Sequence, residues 1–223
     1  MVGFRQHIHA NAELSFKEFE TSLFIKDKLT RWGIEFTSCA NTGVVGLIKG
    51  NKPSDKVIAL RADMDALPIH EANDKPYASK NAGVMHACGH DVHTSSLLGT
   101  AYILNQLKDD FGGTIKLIFQ PAEELLPGGA SIMIKEGVLE NPKPDYIVGQ
   151  HVMPLIDAGK VGFRSGIYMA STDELYVTVT GKGGHGAQPH QNIDPVLIAS
   201  HIIIALQQIV SRNADPRLPS VLS

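Results

Sequence analysis

Three short apolar runs in this chain end in side chains that bind metals or move protons. That arrangement constrains the fold more than any other feature. Residues 56–62, with Val-Ile-Ala-Leu at their centre, lead into Arg61-Ala-Asp63-Met-Asp65-Ala-Leu-Pro68. Residues 114–120 lead into Pro-Ala-Glu123-Glu124, and Tyr146-Ile-Val148 leads into Gly149-Gln-His151. A fourth segment, His86-Ala-Cys88-Gly-His90-Asp91-Val-His93, opens a stretch with Leu97, Leu98, Ala101, Leu104 and Leu107 on one helical face. The run at 56–62 reads as a buried strand, and the other two runs read as strands. Strands alternate with helices to about residue 165, which predicts an α/β domain with a mostly parallel sheet. Such sheets bind ligands outside the carboxyl ends of their strands, so neighbouring strands here bring these groups into one crevice.

The remaining segments fit that frame. Ser15-Phe-Lys-Glu18 matches a capping box, followed by Phe16, Phe19, Leu23 and Leu29 at helical spacing, with Gly33 as a stop. Val44–Lys49 reads as a strand, 63–90 as a long irregular stretch, and Gly128-Gly129 as the start of a short helix. Beyond this the pattern changes. Glu174–Thr180 alternates, with Leu175, Val177 and Val179 on one face, and a helix runs from about Pro195 to Arg212 after a Gly-rich loop. This predicts the opening of a second, smaller α+β domain, dividing the chain into 1–168 and 169–223.

A net charge of −3 gives no sign of nucleic acid or an anionic membrane as partner. Uninterrupted apolar runs such as 202–206 are too short to span a bilayer. Two cysteines, with no signal-peptide pattern at the start, predict a reducing, cytoplasmic setting.

Thiolate, imidazole and carboxylate together suit zinc, manganese or cobalt. Cys88 and His90 flank one glycine and can face a single point. Glu123 and Glu124 are adjacent after a strand, so their side chains diverge. One carboxylate can bind metal while the other acts as general base on a water whose pKa the metal lowers to roughly 7. Asp65 and Asp91 are candidates for orienting a histidine from behind or contacting substrate. A Glu-Glu pair is more often a solvated surface feature, and a lone buried cysteine such as Cys39 is usually a core residue. His7 and His9 read as structural, and His201 has no assigned role.

The segments 61–68, 85–91 (Met-His-Ala-Cys-Gly-His-Asp), 119–124 and 181–190 (Gly-Lys-Gly-Gly-His-Gly-Ala-Gln-Pro-His) occur in the order found in a known family. Together they resemble the metallo-amidohydrolase branch of the aminoacylase/carboxypeptidase family. That branch includes hippurate hydrolase, the auxin–amino acid conjugate hydrolases and N-acetyldiaminopimelate deacetylase. The resemblance implies a catalytic domain with two divalent metal ions and an inserted lid domain that forms a homodimer. It implies Cys88, His90, Glu124 and His151 as metal ligands, and Glu123 as the general base. It implies that His185 stabilises an oxyanion across the dimer. The implied activity is hydrolysis of an N-acyl amino acid to a carboxylic acid and an amino acid through a metal-activated water.

The sequence departs from the family pattern at Asn11-Ala12-Glu13-Leu14, where His-Pro-Glu-Leu is usual, and at Val92, where Gly is common. Family members are longer, so the rest of the lid and a last histidine ligand are expected beyond Ser223. The alternative is a catalytically incompetent fragment that only binds metal or dimerises. A thiol enzyme using Cys88 leaves Glu123, Glu124 and His151 without a role. A zinc nucleobase deaminase needs a Pro-Cys-x-x-Cys segment that two cysteines do not supply.

Overall fold

The computed structural model describes residues 1–169 and 171–223. The chain forms two compact units, Met1–Leu155 and Ile156–Ser223.

The first unit is built on a five-stranded sheet. Its elements are α1 (Val2–Ala10), α2 (Phe19–Arg31), β1 (Glu35–Cys39), β2 (Gly43–Lys49), β3 (Lys52–Asp63), α3 (His90–Gln106), β4 (Gly112–Gln120), α4 (Gly129–Lys135) and β5 (Tyr146–Gly149). The strand order is β1-β2-β4-β3-β5. β3 runs parallel to both β4 and β5, whereas β1–β2 and β2–β4 are antiparallel, so the sheet is mixed with a parallel half. The parallel half carries the site. Asp63 is level with Gln120, and Arg61 with Gly149, so three strands finish at one edge.

β4 shows why its sequence is a nearly unbroken apolar run. Leu117 and Phe119 face a core with Ile25, Leu29, Ile48, Leu98 and Ala101, supplied by α2, β2 and α3. Ile118 faces the opposite core with Ala59, Met133 and Val138. Both faces are covered, so alternation of polar and apolar residues disappears. The exception is Lys116, buried on the Ile118 face, whose Nζ donates to the Val138 carbonyl at 2.7 Å.

The start of α2 differs from the capping-box expectation. The helix begins at Phe19, and Phe16 has φ +64°, which excludes it from a helix. Ser15 Oγ instead donates to Asp65 Oδ2 at 2.6 Å. Glu13 caps the first turn by accepting from the backbone N–H groups of Glu20 and Thr21 at 3.1 and 2.9 Å. Long-range partners therefore displace the local Ser15–Glu18 pairing. Gly33, with φ +65°, follows the helix as expected of a stop.

In the second unit, Asp194 Oδ1 accepts from Val196 N and Leu197 N and caps α5 (Pro195–Gln208), with Pro195 in its first turn. A π-turn, Ile209–Asn213, continues it. Together they make 19 helical residues, long and apolar enough by length and composition to cross a bilayer. The helix expected from about Pro195 to Arg212 is present, with Ser200, His201 and Gln207 interrupting its apolar run. Glu174–Thr180 is not a strand. Its alternation is present, but a strand needs a partner. Among the described residues of this unit the only bridge is Lys182 with Ile193.

Candidate metal centre

The site forms where β3, β4 and β5 end beside the start of α3. Gly89, with φ +91°, lies between Cys88 and His90 as the N-cap of α3. A Cβ there would lie 2.4 Å from Val152 Cγ2, so only glycine lets this turn approach the segment after β5. After β4, Ala122 takes φ +45° and redirects the chain, placing Glu123 and Glu124 over the strand ends. Glu18, fully buried, holds that turn: its Oε1 accepts from Ala122 N at 2.8 Å and from Phe16 N at 3.0 Å. Its Oε2 accepts from Thr42 Oγ1 at 2.7 Å.

His90 is the hub. Its ring is buried, and Nδ1 lies 2.9 Å from the Asp65 carbonyl and 3.3 Å from Asp65 Oδ1. Asp65 Oδ2 also accepts from Glu124 N at 3.0 Å, so Asp65 stands behind His90 and ties it to the Glu123–Glu124 segment. His90 Nε2 faces the other way and has no hydrogen-bond partner. It lies 3.7 Å from Asp63 Oδ2, 3.8 Å from Glu124 Oε1 and 4.0 Å from Glu123 Oε2. Glu124 Oε1 is likewise buried and unpartnered. Two orphaned buried acceptors facing one space are costly unless something positive fills it.

Three overlapping groups bring their ligand atoms within 4.8 Å of one another: Cys88–His90–His151, His90–Glu123–Glu124 and Asp63–His90–His93. Cys88 Sγ is 3.3 Å from His151 Nε2, and His151 Nδ1 donates to the Val152 carbonyl at 2.8 Å, which leaves Nε2 as the unprotonated nitrogen facing the Cys88 thiol. The third group is satisfied internally. His93 Nδ1 donates to Asp63 Oδ1 at 2.6 Å, and its Nε2 accepts from Val152 N at 2.9 Å. The first two groups remain open, and their sulfur, nitrogen and oxygen donors fit borderline divalent cations.

The local charge agrees. Burial opposes ionisation of Asp63, but the His93 hydrogen bond and the Arg61 and His90 charges hold its carboxyl down to about 2. Burial and the charges of Glu124, Glu123 and Asp63 push the Cys88 thiol up to about 12. Burial and the neighbouring Glu124 raise Glu123 above the usual carboxylate range. His90 is raised because hydrogen bonding and negative neighbours outweigh its burial. The pocket is predominantly negative, its neighbouring Arg61 charge being paired with Asp63. It also opposes a Cys88 nucleophile, which needs a lowered thiol pKa.

Of the residues singled out in the sequence, Cys88, His90, Glu123, Glu124 and His151 meet here with Asp65 behind them. Asp91 turns elsewhere. Its Oδ2 pairs with Arg5 Nε at 2.6 Å and His9 Nδ1 at 2.8 Å, and His9 Nε2 meets Glu71 at 3.0 Å, tying α1 to α3. His185 belongs to the second unit, is exposed, and accepts from Ala187 N through Nδ1 at 3.1 Å. Sequence reasoning gave the Asp63–His93 pair no role and read Glu18 only as half of a capping box. Asp63 and His93 sit inside the segments that drew attention, but nothing local marks them as partners.

Comparison with known proteins places this site in a family context. The chain is 47% identical over 224 residues to an N-acyl-L-amino acid amidohydrolase of Geobacillus stearothermophilus, covering 100% of this chain and 60% of that protein. The fold matches the crystal structure of a putative aminohydrolase from methicillin resistant Staphylococcus aureus with a TM-score of 0.74 and 41% identity, covering 96% of this chain and 57% of that one. It also matches a Bacillus subtilis protein described as a dinuclear metal binding peptidase from the M20 family, with a TM-score of 0.70 and 44% identity over 74% of this chain and 46% of that one. The chain thus spans little more than half the length of the curated relatives it matches. The model of peptidase family M20/M25/M40 matches residues 59–221, a range that takes in all the candidate ligands, and the chain belongs to that family.

Proposed function

We propose that this chain carries the metal centre of an amidohydrolase that cleaves N-acyl amino acids to a carboxylic acid and an amino acid. The observation that carries the proposal is the pair of orphaned buried atoms, His90 Nε2 and Glu124 Oε1, facing Cys88, His151 and Glu123. Cys88, His90, Glu124 and His151 are the ligands in this reading, for two ions of zinc, manganese or cobalt. When bound, such ions polarise the scissile carbonyl and acidify a water.

The chain's own residues supply the rest. Asp65 fixes the His90 ring through Nδ1, so that Nε2 is presented to the site. Glu123, half exposed beside the half-buried Glu124, takes a proton from the attacking water and returns it to the leaving amine. Its raised pKa suits a group that must do both. His185 donates to the developing oxyanion from a partner subunit, in a homodimer formed through a lid domain at 169–223; residues 1–168 form the metal-binding domain. We place the protein in the cytoplasm.

The test is hydrolysis of N-acetyl, N-benzoyl and indoleacetyl amino acids with and without chelator. Chelator-sensitive release of the amino acid supports the reading, and chelator-resistant release contradicts it. A second reading is metal binding or dimerisation without turnover. It predicts that Glu123→Gln changes no measurable function.

A further inference from the structure

We propose that His93 is a positioning residue that fixes the ring of His151 through a hydrogen-bonded relay running from Asp63 to Cys88. The inference rests on reading Cys88, His90 and His151 as metal ligands. It assigns His93 a place outside the ligand set.

The relay can be followed atom by atom. Val152 N–H donates to His93 Nε2 at 2.9 Å, which makes Nε2 the unprotonated nitrogen. The ring proton then sits on Nδ1 and is donated to Asp63 Oδ1 at 2.6 Å. Asp63 is itself immobilised. Arg61 Nη1 donates to its Oδ2 at 2.7 Å, and Thr94 Oγ1 donates to its carbonyl at 2.8 Å. On the far side, the Val152 carbonyl accepts from His151 Nδ1 at 2.8 Å, which turns His151 Nε2 towards Cys88 Sγ, 3.3 Å away.

The packing points the same way. His93 and Asp63 are 0% and 1% exposed, whereas His151 lies at the surface. An exposed histidine presented as a ligand needs something to restrict its ring. Here the restraint is the buried His93, which meets the His151 ring at 67° with centroids 4.6 Å apart. Val152, the shared residue, is pressed against Gly89 between the other two ligands. His93 is not free to bind a cation itself, because both ring nitrogens are engaged. Partners of this kind typically change metal affinity by about 10- to 100-fold.

The experiment is Zn2+ binding by chelator competition on the chain, comparing His93→Asn, His93→Gln and the parent, each with and without His151→Ala. Asparagine keeps a donor near Asp63 but is too short to reach Val152. Glutamine places an acceptor where Nε2 was. The relay predicts that His93→Asn weakens Zn2+ binding about 10-fold or more. It predicts that His93→Gln stays within about threefold of the parent, and that His93→Asn has no further effect once His151 is alanine, as a coupled pair requires. Equal losses for Asn and Gln, no loss for Asn, or the same loss without His151 would overturn it. Ring 15N shifts of the metal-free parent judge the relay independently of any variant's folding. Both His93 and His151 are expected as Nδ1–H tautomers, and an Nε2–H tautomer at either overturns the proposal. A parent that takes up no Zn2+ sinks the metal reading, while these shifts still decide the relay.

Discussion

Glu18 Oε1 accepts a hydrogen bond from the backbone N–H of Ala122 at 2.8 Å, joining the start of α2 to the turn that carries Glu123 and Glu124. The same carboxylate accepts from Phe16 N and Thr42 Oγ1. Glu18→Ala orphans buried donors, each costing about 1–3 kcal/mol. A loss of about 3 kcal/mol or more in denaturant unfolding is expected. Glu18→Gln keeps Oε1 and the side-chain shape, and the Thr42 hydroxyl can rotate to accept. It should cost no more than about 1 kcal/mol.

Burial raises the Glu18 carboxyl above its ordinary value, against the hydrogen bonds that favour its charge. A raised folded-state pKa means that the folded chain holds this proton more tightly than the unfolded chain. The resulting stabilisation is present below the unfolded value of 4.5 and is lost as pH rises through the folded pKa. Stability of the parent relative to Glu18→Gln should therefore decline from acid towards neutral pH, read from paired unfolding curves. A difference that grows with pH contradicts this.

Gly89→Ala should damage the site locally. The added Cβ meets Val152 Cγ2 at 2.4 Å, and φ is +91°. Strain of this kind costs about 1–3 kcal/mol. The site relieves it by moving Val152, and with it His151. Zn2+ affinity is expected to fall by more than the loss in thermal stability alone explains. Unchanged affinity and stability would show that the approach of Gly89 to Val152 is unimportant.

Glu123 and Glu124 should separate cleanly. Glu124 Oε1 is buried and orphaned, whereas Glu123 is 42% exposed. Glu124→Gln is expected to lower metal content. Glu123→Gln should retain metal and lower kcat by at least about 100-fold, as expected for a lost general base. Metal analysis beside steady-state kinetics distinguishes them, and equal metal loss in both contradicts the division of roles.

Much of this site was legible because its chemistry is local in sequence. Cys88 and His90 are two residues apart, Glu123 and Glu124 are adjacent just after β4, and the parallel run of β3, β4 and β5 brings these ends together. Choice of hydrogen-bond partner was not legible. Ser15 and Glu18 have the spacing of a capping box, yet Asp65 and Ala122, far along the chain, claim them. Asp91 resembled a group behind the metal site, but His9 and Arg5 take it. β1 and α1 went unassigned: β1 is Glu-Phe-Thr-Ser-Cys at a sheet edge, with no apolar run, and α1 is a short helix containing Gly3. The alternation at Glu174–Thr180 was real in sequence, but alternation does not supply a pairing strand.

The most direct test is elemental analysis for zinc, manganese and cobalt on the purified chain, beside its His90→Ala variant. His90 is common to every candidate ligand group, so its loss affects all of them at once. The account predicts bound divalent metal in the parent and little or none in His90→Ala while the variant remains folded. A parent without metal, or a folded variant that retains the parent's full content, would contradict it.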